Sequence, residues 1–145
     1  MNGQRLLAAA LALTLLGPAF ARQDKEPPIA KEKEPDLMAR LKKVKGPFSL
    51  IVSFQVKKGE EKTLLEAAKP AIAATIGEKG CKRYELHQDI ENPTKFVMFE
   101  RWDSFADLEA HMASAHTKKL IATLHEVAAG PPTFVIAKRR AQPKK

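Results

Sequence analysis

The chain of 145 residues has one cysteine, one tryptophan and one tyrosine, and it has no loop pattern typical of nucleotide binding. The single cysteine, Cys81, excludes an internal disulfide, so the fold must be held together by packing. No Cys-x-x-Cys pair offers a metal site, and no glycine-rich phosphate loop is present. Cys81 opens a predicted strand, where a small buried hydrophobic role is favoured over a nucleophilic one.

The first 21 residues have the pattern of a secretory signal peptide. Arg5 supplies a basic start, residues 6–16 form an apolar run, Gly17-Pro18 breaks it, and Ala19-Phe20-Ala21 is typical of a cleavage site. The apolar run is shorter than the ~20 residues needed to span a bilayer, so no transmembrane segment is expected after cleavage. The sequence therefore predicts an exported protein, periplasmic or extracellular.

The net charge of +8 lies in the flanks of the chain. Residues 22–47 carry eight basic and five acidic side chains, residues 138–145 carry five basic ones, and residues 48–137 have a net charge of −1. A basic folded surface for nucleic acid is therefore not expected. The sequence predicts a signal peptide (1–21), a charged flexible linker (22–47), one domain (48–138) and a basic tail (139–145). Leu37, Met38, Leu41 and Val44 recur at helical spacing, which favours a short docking helix over 36–45 inside the linker.

The body begins with a strand and a helix. Residues 48–56 alternate apolar and polar side chains, which is the period of a strand. Apolar residues then repeat at helical spacing over 64–76, with the helix ending at Gly77 or Gly80. Pro70 lies inside this helix and is expected to kink or split it.

Two strands, a helix and a final strand follow. Residues 81–89 and 96–102 predict a hairpin joined by an Asn92-Pro93 turn. Ser104 predicts the N-cap of a helix that starts near residue 105, pauses near 114–117 and continues to Gly130. Residues 133–138 predict the last strand.

The order strand, helix, strand, strand, helix, strand predicts an α+β, ferredoxin-like βαββαβ fold. Its four-stranded antiparallel sheet carries the helices on one face. Apolar residues are also expected on the other face: Ile51, Val97, Phe99, Val135 and Ala137. A monomer would expose this surface, so we expect a homodimer packed through its sheets.

An ordered set of residues resembles the antibiotic biosynthesis monooxygenase domain over residues 48–138. The set comprises Gly80, Cys81, 84–89, Asn92, Pro93, 96–102, Ser104, 108–111 and His116. The resemblance implies a dimeric α/β-barrel with a pocket between sheet and helices. It also implies cofactor-free oxidation of a small quinol or polyphenol by molecular oxygen, in which the protein orients the substrate and stabilises charge.

The same family resemblance includes haem-degrading enzymes, so it implies fold better than reaction. The haem branch pairs a strand tryptophan and a helical histidine with an asparagine on the first strand. Trp102 and a helical histidine match that pattern, but the first strand here has no asparagine. A non-catalytic ligand-binding or stress-related dimer is the alternative to an enzyme.

Two candidate catalytic residues follow from these patterns. Glu100 shares a strand face with Met98 and Trp102, so it is either a poorly solvated proton acceptor or a salt-bridged carboxylate at the sheet edge. His111 is either a packing histidine or an acid/base group. His111 and His116 are five residues apart and make a poor metal pair without a third ligand, so no metal is predicted.

Four candidate substrate-binding residues complete the predicted site. Trp102 is either core or a flat wall for an aromatic ring. Tyr84 is either a half-buried strand residue or a hydroxyl that points into the same cavity. Met98 and His116 are the remaining candidates, beside Glu100 and at the pocket rim respectively.

Overall fold

The computed structural model describes residues 34–141. The predicted signal peptide, residues 22–33 of the predicted linker and the last four residues of the tail lie outside this range. The described elements are α1 (Glu34–Lys42), β1 (Phe48–Gln55), α2 (Glu61–Thr75), β2 (Cys81–Gln88), β3 (Lys95–Trp102), α3 (Phe105–Ala113), α4 (Ala115–Val127) and β4 (Thr133–Ala137). None of these helices combines the length and apolar character needed to cross a membrane.

The four strands form one antiparallel sheet in the order β2-β3-β1-β4. The two central strands, β1 and β3, pair along their whole lengths from Phe48 opposite Trp102 to Gln55 opposite Lys95. The predicted α+β, ferredoxin-like fold is confirmed.

The core lies between the helices and the inward face of the sheet. The helices α2 and α4 pack against each other, and α3 packs against β3. The buried apolar side chains come from both layers: Phe48, Leu50, Leu64, Ala68, Phe96, Met98, Trp102, Leu108, Leu120 and Val127.

The helix α1 extends the packed body towards the N-terminus. Leu37 and Leu41 are buried in the core cluster, and Met38 and Val44 pack against it. Residues 37–44 therefore pack on the body of the protein. The amphipathic spacing of these four residues is the physical reason, because a helix that buries one apolar stripe is ordered by that contact.

Pro70 does not split α2, which runs without interruption from Glu61 to Thr75. Of the two predicted outcomes, a kink or a split of the helix, the split does not occur. Pro70 is exposed, whereas Ala68 and Ala71 on either side are buried. At an exposed position water can bond the carbonyl that loses its intrahelical partner, so the helix persists.

The predicted pause in the second helical segment is confirmed at Ser114. This residue ends α3 and starts α4 with an extended backbone, φ −68° and ψ 152°. Its hydroxyl accepts a hydrogen bond from the Thr117 amide at 3.4 Å, which caps α4. The helix axis therefore changes direction between His111 and His116.

Gly80 lies where the α2–β2 loop packs closely against the start of α3. Its φ of +77° lies in the left-handed region, and a Cβ at this position would overlap the Asp107 carboxyl group. The Gly80 carbonyl also accepts a hydrogen bond from the Asp103 amide at 2.9 Å. Only glycine combines this conformation with such a close approach.

Gly80→Ala is expected to destabilise the protein by about 3 kcal/mol, because the cost of the left-handed backbone and the cost of the overlap with Asp107 are added together. Gly59→Ala is the matched control, since Gly59 also has positive φ, +95°, but has open space around its Cβ position. It should lose about 1 kcal/mol. Urea unfolding of both variants measures the difference. Equal losses would contradict the packing role of Gly80.

Candidate active site

The inward face of β3 places the predicted site residues side by side. Burial alternates along this strand, with Phe96, Met98, Glu100 and Trp102 buried. Glu100 and Trp102 are adjacent on that face because side chains two residues apart in a strand point the same way. Glu100 therefore faces the core, together with Trp102.

Glu100 is a carboxyl group in the core. It is 7% exposed, and Oε2 accepts a hydrogen bond from the Trp102 indole N–H at 3.0 Å. Desolvation raises the pKa of Glu100 to about 7, and the Trp102 hydrogen bond opposes this shift only in part. The alternative of a salt bridge at the sheet edge does not apply, since Glu100 lies on a central strand and its hydrogen-bond partner is Trp102.

Tyr84 and Trp102 enclose this carboxyl group. Tyr84 is buried and pairs with Glu100 across the β2–β3 ladder, and Trp102 is 0% exposed. Burial, followed by the charge of Glu100, raises the pKa of Tyr84, so its hydroxyl keeps its proton and can donate a hydrogen bond.

His111 lies on the buried side of α3 against both aromatic rings. Its ring centroid is 4.8 Å from that of Trp102 and 5.1 Å from that of Tyr84. The His111 side chain is 2% exposed, and Nδ1 lies 2.6 Å from Oε2 of Glu78. Burial lowers the pKa of His111, although Glu78 acts in the opposite direction. A neutral imidazole therefore donates to the Glu78 carboxylate.

His116 reaches the same carboxylate from α4. Its Nε2 lies 3.0 Å from Oε1 of Glu78 and 3.2 Å from the Ser114 hydroxyl. The two histidine rings are 5.9 Å apart, so the break at Ser114 brings together two residues that one straight helix would separate.

Met98 occupies the next inward position of β3 beside Glu100, on the side away from Trp102. It is buried among core residues. The described contacts thus connect Tyr84, Glu100, Trp102, His111 and His116 into one cluster, with Met98 at its edge.

Glu78 is the residue that sequence reasoning missed. It lies in the α2–β2 loop, 33 residues before His111, and no spacing rule connects it to the histidines. Gly80 was the available signal, because a glycine required by a close approach marks a loop that contacts another element. That element is the start of α3, which carries His111.

A cavity of about 330 Å³ opens beside the cluster at the edge strand β2. Its lining is Ile76, Cys81, Lys82, Arg83, Tyr84 and Glu85. Its volume lies at the small end of the range for small-molecule sites. Tyr84 belongs to both the cavity and the buried cluster, whereas Glu100 and Trp102 do not line the cavity.

This arrangement is suited to proton transfer next to an aromatic wall. A carboxyl group with a pKa of about 7 is half ionised near neutral pH, which is the condition for an efficient general base. Indole and phenol rings beside it match the flat faces of an aromatic ligand.

Comparison with known proteins identifies a family. The profile of the family described as "Antibiotic biosynthesis monooxygenase" matches residues 47–123. Comparison with curated proteins finds no significant match.

Similar folds occur in solved structures. A Nitrosomonas europaea protein, named as a candidate antibiotic biosynthesis monooxygenase, is 29% identical with a TM-score of 0.61, over 64% of this chain and 90% of its own. A conserved Methanosarcina mazei protein is 26% identical with a TM-score of 0.62, over 66% of this chain and 94% of its own. A Pseudomonas aeruginosa protein is 26% identical with a TM-score of 0.61, over 67% of this chain and 97% of its own.

The raised pKa of Glu100 predicts that folding stability falls as the pH rises from about 4.5 to about 7. The folded state keeps this proton up to about pH 7, whereas the unfolded chain releases it near the ordinary value of 4.5. The loss should total about 3 kcal/mol and level off above pH 7.

Urea unfolding of wild type and Glu100→Gln across this pH range isolates the Glu100 contribution, since the variant cannot ionise at this position. Glu109→Gln, an exposed carboxylate on α3, is the control and should keep the wild-type pH dependence. If wild type and Glu100→Gln have parallel profiles, the carboxyl pKa is not raised.

Proposed function

This chain belongs to the antibiotic biosynthesis monooxygenase family, and we propose that it oxidises a small quinol or polyphenol with molecular oxygen, without a cofactor. The observation that carries the proposal is the buried Glu100 carboxyl group, held by Trp102, with a pKa near neutrality. The wall of Tyr84 and Trp102 favours an aromatic substrate.

The first step assigned to the protein is removal of a phenolic proton by Glu100. A carboxylate in a water-poor site takes this proton more readily than one in water, because burial disfavours its charge. The resulting substrate anion is electron-rich and can pass an electron to oxygen. His111 is less suited to this step, since its ring is held by Glu78 and lies near the Thr117 hydroxyl.

The substrate supplies all the electrons of the reaction. When a hydroquinone becomes a hydroxyquinone, one atom of oxygen enters the ring and the other leaves as water. Four electrons come from the substrate, so no external reductant is required. The protein's part is then to orient the ring, exclude water and move the proton.

The substrate is expected to enter through the cavity at β2. Tyr84 lines this cavity, and its hydroxyl, which keeps its proton, would donate a hydrogen bond to a substrate oxygen. Small rings are favoured because the cavity volume is about 330 Å³.

Oxygen uptake with a hydroquinone panel, in chelator-treated buffer and corrected for autoxidation, tests the proposal. Wild type should exceed the uncatalysed rate, and kcat/KM should rise with pH to a plateau above about 7 as Glu100 ionises. Glu100→Gln should lower kcat/KM by about 100-fold or more, since the general base is lost.

Glu109→Gln should retain wild-type activity, because Glu109 is an exposed α3 residue away from the cavity. Trp102→Phe should reduce activity while it keeps an aromatic ring in the core. If wild type never exceeds Glu100→Gln for any substrate, the enzyme proposal fails. Tight binding of the same quinols without turnover would favour the alternative, a non-catalytic ligand-binding module.

We further propose that the protein is a homodimer packed through the outer face of its sheet. On this face Ile51 pairs with Phe99 on one side and with Val135 on the other, forming an apolar row across three strands. Val135 is 55% exposed in the single chain. A second copy packed on this row would remove it from water.

Phe99→Glu should convert the dimer to a monomer, because a charge in the middle of the apolar row loses its hydration on association. Sedimentation velocity measures the change. Ile90→Glu is the matched control, since Ile90 is 99% exposed in a loop and should leave the dimer intact. A wild-type monomer, or a dimer that survives Phe99→Glu, would contradict this interface.

A further inference from the structure

We propose that Glu78, His111 and His116 form a binding site for one divalent transition-metal ion. Each residue offers one ligand atom, and the three atoms all lie within 4.8 Å of one another. The sequence alone did not suggest this site, because the histidines lacked a third ligand.

The carboxylate of Glu78 already holds the two histidines in a metal-like arrangement. Its Oε2 lies 2.6 Å from Nδ1 of His111, and its Oε1 lies 3.0 Å from Nε2 of His116. Two imidazole protons fill the spaces between these atoms. Each imidazole can bind a cation through the nitrogen that now faces Glu78 if its proton moves to the other ring nitrogen. A divalent cation with two neutral imidazoles and one carboxylate then has a net charge of +1.

The donor set selects the class of ion. Two imidazole nitrogens and one carboxylate oxygen suit Zn²⁺, Co²⁺ or Fe²⁺, whereas Mg²⁺ and Ca²⁺ prefer sites made only of oxygen. Three protein ligands also leave a coordination position for water or another small ligand.

The ligands come from three separate elements that the fold holds in place. Glu78 lies in the α2–β2 loop, His111 on α3 and His116 on α4. The Trp102 ring packs against His111, and the Thr117 hydroxyl lies 3.2 Å from Nε2 of His111, the ring nitrogen on the side away from Glu78. Such outer contacts fix the orientation of ligand rings and strengthen metal binding.

An ion can reach this cluster from solvent. The side chains of Glu78 and His116 are 21% and 27% exposed, while His111 forms the buried floor at 2%. The cluster therefore combines one fixed ligand with two that can adjust by small rotations. The proposed oxidation does not require the ion, because Glu100 moves the proton there.

Titration of untagged protein with Co²⁺ in a non-coordinating buffer tests the site, since a histidine tag would itself bind the metal. We expect one Co²⁺ per chain with visible d–d absorption, displacement by Zn²⁺ and no competition from Mg²⁺. Bound Zn²⁺ should raise the Tm by several degrees, because the ion binds the folded state.

Glu78→Gln and His116→Ala should each weaken Co²⁺ binding at least tenfold. Both side chains are partly exposed, so circular dichroism should show an unchanged fold. His125→Ala is the control, since His125 is an exposed histidine on the same helix and should leave binding unchanged. Binding by Glu78→Gln as tight as that of wild type, or weak binding that His125→Ala abolishes, would overturn the site. Oxygen uptake in chelator-treated buffer stays a separate measurement, so either proposal can fail alone.

Discussion

Burial of a carboxyl group on a central strand is the constraint on which the site depends. The inward face of β3 is otherwise apolar, with Phe96, Met98 and Trp102 as neighbours of Glu100 along the strand. The strand cannot expose Glu100 without exposing these residues too, because a one-residue shift would move the whole set to the other face. The core therefore contains the Glu100 carboxyl group, and the Trp102 indole that donates a hydrogen bond to it lies on the same face of the strand. Among residues 37–141, whose side chains the structure describes, no buried side-chain nitrogen or oxygen lacks a hydrogen-bond partner.

The histidines depend on two local backbone features rather than on helix periodicity. The extended conformation of Ser114 redirects the chain between α3 and α4, and the left-handed Gly80 lets the α2–β2 loop approach α3. Together they place one carboxylate, Glu78, between two rings that a continuous helix would separate. His111 then connects this carboxylate to Trp102, so the polar groups of the loop, the helices and the sheet form one contiguous cluster.

The fold could be predicted from the sequence because its strands and helices have clear periods. The alternation over β3 predicted which face Glu100 shares with Trp102, and Ser114 marked the helix break. Glu78 could not be predicted, since its position depends on a loop contact between segments far apart in the chain. The sequence left open whether Pro70 would kink or split α2, because local propensity does not reveal that its side of the helix is exposed to water.

Stability and the proposed chemistry are linked through the same proton. A phenol has a pKa of about 10, so transfer of its proton to a carboxylate with the ordinary pKa of 4.5 is uphill by more than five pKa units. Raising the pKa of the accepting carboxylate to about 7 reduces this difference to about three pKa units. The proton transfer then becomes easier by about 3 kcal/mol. The same free energy is the stability that the fold loses when Glu100 ionises without substrate, because both follow from desolvation of one charge. A polar environment that restored the ordinary pKa of Glu100 would therefore stabilise the protein above pH 7, but it would also make Glu100 a weaker base. This is the trade-off between stability and activity that is expected of an active site.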